Sequence, residues 1–211
     1  MTGSDPELDI ILDAARGLIA QSGYSGLTMP ALAQAAGIPI AELYRHVPDR
    51  VALLAGFIRR IDLAMLESLP PAEEGGGARD RIFDVLMARF EASAPSRAML
   101  RVVQHDMRRH PAEALRLAPV LLNAMRWTAE AAGLSVDGVA GAARLRALAG
   151  VYASVMPVWL ADEDPGLAKT MAALDRRLRR LENLWPDIWC GGKRSKSAQS
   201  DPPGPSTAAG A

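Results

Sequence analysis

From residue 8 to residue 184 the apolar side chains recur at steps of three and four, and a glycine or proline closes most runs. Such spacing gathers apolar groups on one side of an α-helix and scatters them over both faces of a strand. No stretch of convincing length alternates in the manner of a half-buried strand. The chain is therefore expected to be all-α. Abundant Ala and Leu and few aromatic or β-branched runs agree, and 211 residues are enough to bury a stable core.

The runs can be placed. "LDIILDAARGLIAQS" (8–22) puts Ile10, Ile11, Ala14, Ala15, Leu18 and Ile19 on one expected buried stripe, which Gly23 closes. Thr28 precedes "MPALAQAAG", where Pro30 suits a first helical turn because its missing N–H would have no intrahelical partner. This second helix ends at Gly37. A third starts near Pro39 and runs through "IAELYRHV" to Pro48, and Asp49 opens a long fourth that stops before Pro70. "PPAEEGGGARD" is the expected boundary between modules. Helical spacing returns over residues 79–94, 96–109, 112–132, 136–161 and 164–184, with Pro119 and Pro157 expected to break or kink the third and fourth of these. From Gly191 onward nothing is available to bury, which predicts a disordered tail.

Composition excludes several kinds of work. A formal net charge of zero means that no global field draws the chain to nucleic acid, so such binding has to come from a local patch. The single cysteine, Cys190, excludes an intramolecular disulfide and a cysteine metal cluster, and it fits a reducing cytoplasm. No basic start leads into an apolar run of signal-peptide type, and no apolar segment approaches the roughly 20 residues that span a bilayer. A cytoplasmic protein without a membrane partner is expected. No nucleophile sits on a recognisable elbow, and no Ser–His–Asp partnership is marked, so catalysis is not expected. His105, Asp106 and His110 invite a metal reading, but adjacent helical residues point about 100° apart and do not converge. No metal and no cofactor are expected.

Residues 32–50, "LAQAAGIPIAELYRHVPDR", are two short helices hinged at a glycine, the helix-turn-helix arrangement whose second helix enters the major groove. Gly37 meets the turn's need for a positive φ without steric cost. The order of features reaches further. "ILDAA" opens helix one, "GY" follows it, Thr28 precedes helix two, "LAQAAGI" crosses the turn, and "LYRHVPDRVALL" leads into helix four. This string (11–54) resembles the N-terminal domain of the TetR-type transcriptional regulators. The resemblance implies a helix-turn-helix DNA-binding domain over 1–48, a connecting helix over 49–70, a flexible loop over 71–78, a helical ligand-binding and dimerisation domain over 79–190, and the tail over 191–211. It also implies a homodimeric repressor on a palindromic double-stranded DNA operator, with half-sites about one helical turn apart, answering a small apolar ligand.

The resemblance carries over residue by residue. Tyr44, Arg45 and His46 match the phosphate-contacting tail of helix three, Thr28 the start of helix two, and Arg50 the backbone contact at the start of helix four. Where the family commonly has Ser or Thr, then a basic and a small residue, this chain has Pro39, Ile40, Ala41 and Glu42. Ile40 is left to meet a thymine methyl, and Glu42 to repel phosphate unless it accepts from a cytosine amino group. Between Glu7 and Asp62 stand six acidic and five basic residues, so the reading head is not cationic. Each residue has a plainer reading as well. Tyr44 could be a packing residue with a wet hydroxyl, His46 a surface or capping histidine, and Arg45 and Arg50 solvated charges paired with Glu42 or Asp49.

In the C-terminal half, Met87, Phe90, Met99, Val103, Met107, Leu121, Leu122, Met125 and Trp127 suit an apolar core or pocket. Phe90, His105, Met125, Trp127 and Tyr152 are the expected lining of a ligand cavity. "GVAGAARLRALAGVYASV" is rich in Gly and Ala, and Leu167, Met171, Leu174, Leu178 and Leu181 form a stripe on the helix after it. Leu148, Val151, Leu167, Met171, Leu174 and Leu178 are the expected dimer interface, with an internal packing face as the alternative. "WLADEDPGLAKTMAALDRR" is also similar to the tail of the ubiquinone-biosynthesis accessory proteins, which share the fold but bind lipid instead of DNA. That similarity implies the alternative function, an apolar-ligand binder without DNA affinity.

Overall fold

The structure, a computed structural model, describes residues 6–70 and 77–189. Most of the expected loop (71–78) and the whole expected tail (191–211) lie outside the described residues. Nine α-helices and two single 3₁₀ turns, with no strand, make up the regular structure among the described residues. The helices are α1 (Pro6–Ser22), α2 (Met29–Ala36), α3 (Ile40–His46), α4 (Arg50–Ser68), α5 (Ala78–Ala92), α6 (Arg97–Arg109), α7 (Pro111–Ala131), α8 (Gly138–Ala161) and α9 (Ala168–Leu184).

The expected helices form, with informative departures. In α1, Ile11, Ala15 and Ile19 are wholly buried, but Ile10 is 54% exposed, one residue off the stripe that faces the core. α7 and α8 continue through Pro119 and Pro157, where a break or a kink was expected; neither proline breaks its helix. Pro119 lies on the exposed side of α7, where the carbonyl its ring leaves unbonded can turn to water. The last helix starts at Ala168 rather than 164 because two aspartates build a cap ahead of it. The Asp164 carboxylate accepts from the amides of Gly166 (3.1 Å) and Ala168 (3.2 Å). The buried Asp162 carboxylate accepts from the Thr170 amide (2.8 Å) and hydroxyl (2.7 Å). These bonds, the Thr170 hydroxyl foremost, hold the Asp162 carboxyl below its ordinary range.

Two apolar cores form. The first joins α1, α2, α3 and the front half of α4 through Ile11, Leu32, Leu43, Leu53 and Phe57, and it also takes in Met99 and Val103 of α6. The second joins the back of α4 with α5, α7, α8 and α9 through Met65, Phe90, Met125, Leu148, Trp159 and Leu174. α4 therefore serves both cores, and α6 reaches from the second module into the first. Where α4 meets α5, Arg89 and Asp62 form a buried ion pair, with the Arg89 guanidinium 5.4 Å from the centre of the Tyr152 ring. The carboxylate offsets the cost of burying the cation, and losing either partner would strand the other.

Candidate nucleic-acid interface

The turn between α2 and α3 takes the shape its residues dictate. Gly37 lies in the left-handed region (φ 70°, ψ 25°), with its amide directed at the Ala33 and Gln34 carbonyls. Thr28 caps α2, its hydroxyl accepting from the Ala31 amide at 3.4 Å. Leu43 and Val47 anchor α3, being buried to 0% and 1% exposure. The opposite side of α3 is thereby turned to solvent. Ile40 (55% exposed) and Tyr44 (68% exposed) stand there, one helical turn apart. Tyr44 does not pack into the core, and its plainer reading is set aside.

The charged residues of α3 are engaged with one another. The Arg45 guanidinium pairs with Glu42. His46 Nε2 lies 2.9 Å from a Glu7 carboxylate oxygen and 3.5 Å from one of Glu42. Arg45 thus faces one carboxylate and the His46 ring faces two.

Arg50 departs most from expectation. Its guanidinium donates to the carbonyls of Tyr24 (3.4 Å) and Ser25 (3.1 Å), lies 5.4 Å from the centre of the Tyr24 ring, and sits 3.5 Å from Glu113 of α7. In return the Tyr24 hydroxyl donates to the Arg50 carbonyl at 3.1 Å. The Tyr24 phenol is pushed up to about 12, chiefly by burial and against the pull of Arg50. Arg50 thus ties the α1–α2 turn, α4 and α7 together. A second tie lies close by, where the Ser25 amide donates to the Asp106 carboxylate of α6 at 3.0 Å. Tyr24, Ser25, Asp106 and Glu113 escaped sequence reasoning because their partners are distant in the chain, 81 residues apart for Ser25 and Asp106.

The expected ligand cavity does not assemble. Phe90 stacks on Tyr152, with ring centres 5.1 Å apart, and tilts against Trp159 at 5.7 Å. Met125 is fully buried nearby, while Trp127 is 46% exposed and His105 is exposed. Three of the five residues are packed core and two face solvent. They diverge because α6 and α7 turn other faces inward, through Met99 and Val103 on α6 and Ala124 and Thr128 on α7. A cleft of about 410 Å³ opens instead at the joint between modules, lined by Asp49, Arg50, Val51, Glu113 and Arg116. Another of about 330 Å³ lies between α7 and α8, against Pro119, Leu122, Asn123, Arg126, Ala142, Leu145 and Arg146.

The expected interface stripe is also redirected. Leu148, Leu174 and Leu178 are fully buried within the chain, and Val151 and Leu167 are each 8% exposed. Only Met171 of the six, at 42%, is open to a second copy. α8 and α9 pack on each other and α9 on α5, and α8 turns outward a different face of Ala140, Ala143, Arg146, Gly150 and Ala153.

Comparison with known proteins accords with this architecture. Residues 11–56 match the family model described as bacterial regulatory proteins of the tetR family. Residues 144–184, covering most of α8 and all of α9, match the COQ9 family model. The crystal structure of a TetR transcriptional regulator from Nitrosomonas europaea superposes with a TM-score of 0.63 at 22% identity, covering 83% of this chain and 98% of that one. A TetR transcriptional regulator from a Rhodococcus species gives 0.61 at 18% identity, covering 83% and 94%. A tetR-family regulator from Streptomyces coelicolor gives 0.55 at 14%, covering 89% and 86%. At these identities the likeness is one of fold. No curated protein matches the chain.

Proposed function

We infer that this chain, TetR-type in its fold and in its N-terminal module, is a DNA-binding transcriptional regulator that acts as a homodimer and answers a small ligand. One observation carries the reading: Ile40 and Tyr44 stand exposed, a turn apart, on the outward side of α3. Singly exposed apolar side chains are ordinary, and Leu115, Val139 and Leu184 stand more open still; what marks this pair is its place together on the outward side of the second helix of a helix-turn-helix. There Ile40 can meet a thymine methyl while the Tyr44 hydroxyl meets a phosphate. Thr28 and Arg45 would add backbone contacts, and Glu42 and His46 would flank them. Arg50 contributes by holding α4 against the reader rather than by touching DNA.

The two ties at the joint supply a route from ligand to reader. A ligand that moves α6 or α7 pulls on Ser25 through Asp106 and on Arg50 through Glu113, and so alters the separation of two reading heads. The outward face of α8, four small residues around Arg146, is the surface on which a second copy would pack. Repression follows if the operator overlaps a promoter.

A second reading has its own support. The COQ9 match over residues 144–184, together with a reader in which Glu42 pairs with Arg45 and Glu7 meets His46, favours an apolar-ligand binder without DNA affinity. Fluorescence anisotropy across a salt series separates the two, using the chain's own upstream DNA, a scrambled duplex and a genomic fragment library. Selective binding that weakens with salt, with Tyr44→Phe and with Arg45→Ala is the expected result. If no duplex binds even at low salt, and lipid co-purifies with the protein, the DNA reading is wrong and the second stands.

A further inference from the structure

Glu42 and His46 are one turn apart on α3, so their side chains lie side by side, and Glu7 in the first turn of α1 reaches across to meet them. One ligand-type atom from each of the three lies within 4.8 Å of the other two. An imidazole nitrogen with two carboxylates is a donor set that suits zinc and neighbouring divalent ions. Two atoms each about 2.1 Å from a tetrahedral zinc lie about 3.4 Å apart. The 3.5 Å between His46 and Glu42 is already such a ligand edge. The 2.9 Å between His46 and Glu7 has to open by about half an ångström, well within reach of an exposed glutamate at a helix start.

We propose that Glu7, Glu42 and His46 form a divalent-cation site on the recognition helix, and that the bound ion promotes DNA reading. The regulatory half rests on the DNA-binding function inferred above; the site itself does not. Three protein ligands leave a fourth position for water, the arrangement of an exchangeable rather than a buried structural metal. The ion changes the reader in two ways. It turns the formal charge between Glu7 and Asp62 from −1 to +1, removing the field that opposes a phosphate backbone. It also competes with Arg45 for Glu42, with which Arg45 is paired, and so frees Arg45 for phosphate. By clamping α3 to the start of α1 it further fixes a short helix that lacks a side-chain cap at its N-terminus.

The test is isothermal titration calorimetry of the full chain with zinc chloride, in a Cys190→Ser background that removes its one thiol. The expected result is one ion per chain. Loss of an outer-shell partner already costs about 10- to 100-fold in metal affinity, so Glu7→Gln, Glu42→Gln and His46→Asn should each weaken binding at least about 10-fold. His105→Asn and His110→Asn, which alter the remaining two histidines, should leave it unchanged. Circular dichroism melts check that each variant is folded; Glu7→Gln, at an exposed helix start, keeps the test valid if an α3 variant unfolds. No saturable binding, or binding that survives Glu7→Gln and His46→Asn or follows His105 or His110, overturns the site. Anisotropy with zinc and with a chelator then tests the regulation. DNA affinity should rise about 10-fold or more with zinc in the parent and stay flat in Glu7→Gln, the addition of two charges per subunit deepening the salt dependence. DNA binding indifferent to zinc would overturn the regulatory half. Zinc binding with no duplex bound in either state would overturn that half as well, by removing the DNA reading on which it rests, while the site would stand.

Discussion

At the scale of single residues, the buried charges are where one substitution costs most. Asp62 and Arg89 compensate each other in a place where neither could remain alone. Asp62→Ala should cost about 3–5 kcal/mol in chemical denaturation, because it leaves a buried guanidinium unpaired. The Asp162 carboxyl, held low by Thr170, contributes stability that is present above the ordinary carboxylate range and is lost as pH falls through its lowered folded-state value. A pH series of melting temperatures should therefore show an acid limb that Asp162→Asn flattens. Tyr24 has the opposite sign. Its phenol is raised from 10.0 to about 12, so its contribution is full below pH 10 and is lost as pH rises toward 12. Tyr24→Phe should lose about 1 kcal/mol at neutral pH with the hydrogen bond to Arg50, and should lack that part of the alkaline decline.

At the scale of elements, the turn between α2 and α3 depends on one left-handed residue, Gly37. A Cβ on Gly37 would meet nothing within 4 Å, so Gly37→Ala carries no clash, only the cost of a positive φ. That cost is about 1–2 kcal/mol. A thermal melt should show the loss, and because α3 would be re-aimed, anisotropy should show a larger fall in DNA affinity than in stability. The helices were legible because their apolar spacing is local information. Their ends were less so, as the start of α9 depends on the side chains of Asp162 and Asp164, and the continuity of α7 on which side of it Pro119 faces.

At the scale of the whole molecule, the proposed dimer would pack through the outward face of α8. A Cβ on Gly150 meets nothing within 4 Å in the chain, so Gly150→Arg should leave the monomer folded while driving two copies apart. Light scattering coupled to size exclusion should give twice the chain mass for the parent and the single-chain mass for the variant. A variant that stays dimeric would move the interface elsewhere. The joint between modules is the other whole-molecule feature, since α6 and α7 hold the reader through Asp106 and Glu113.

The all-α class and the position of the helix-turn-helix were legible in the sequence, which left open whether Tyr44 packs inward or stands out. The class and the position depend on apolar period, glycine and proline, which act within a few residues. Only the tertiary structure decided how residues far apart in the chain were used. It made Arg50 a tie between modules, buried Leu148, Leu174 and Leu178 inside one chain, sent His105 and Trp127 to the surface, and brought Glu7 to His46 across 39 residues. The reason is physical: periodicity shows that a helix has an apolar face but not which neighbour will cover it, and a charge finds its partner only after the cores have set the helices side by side.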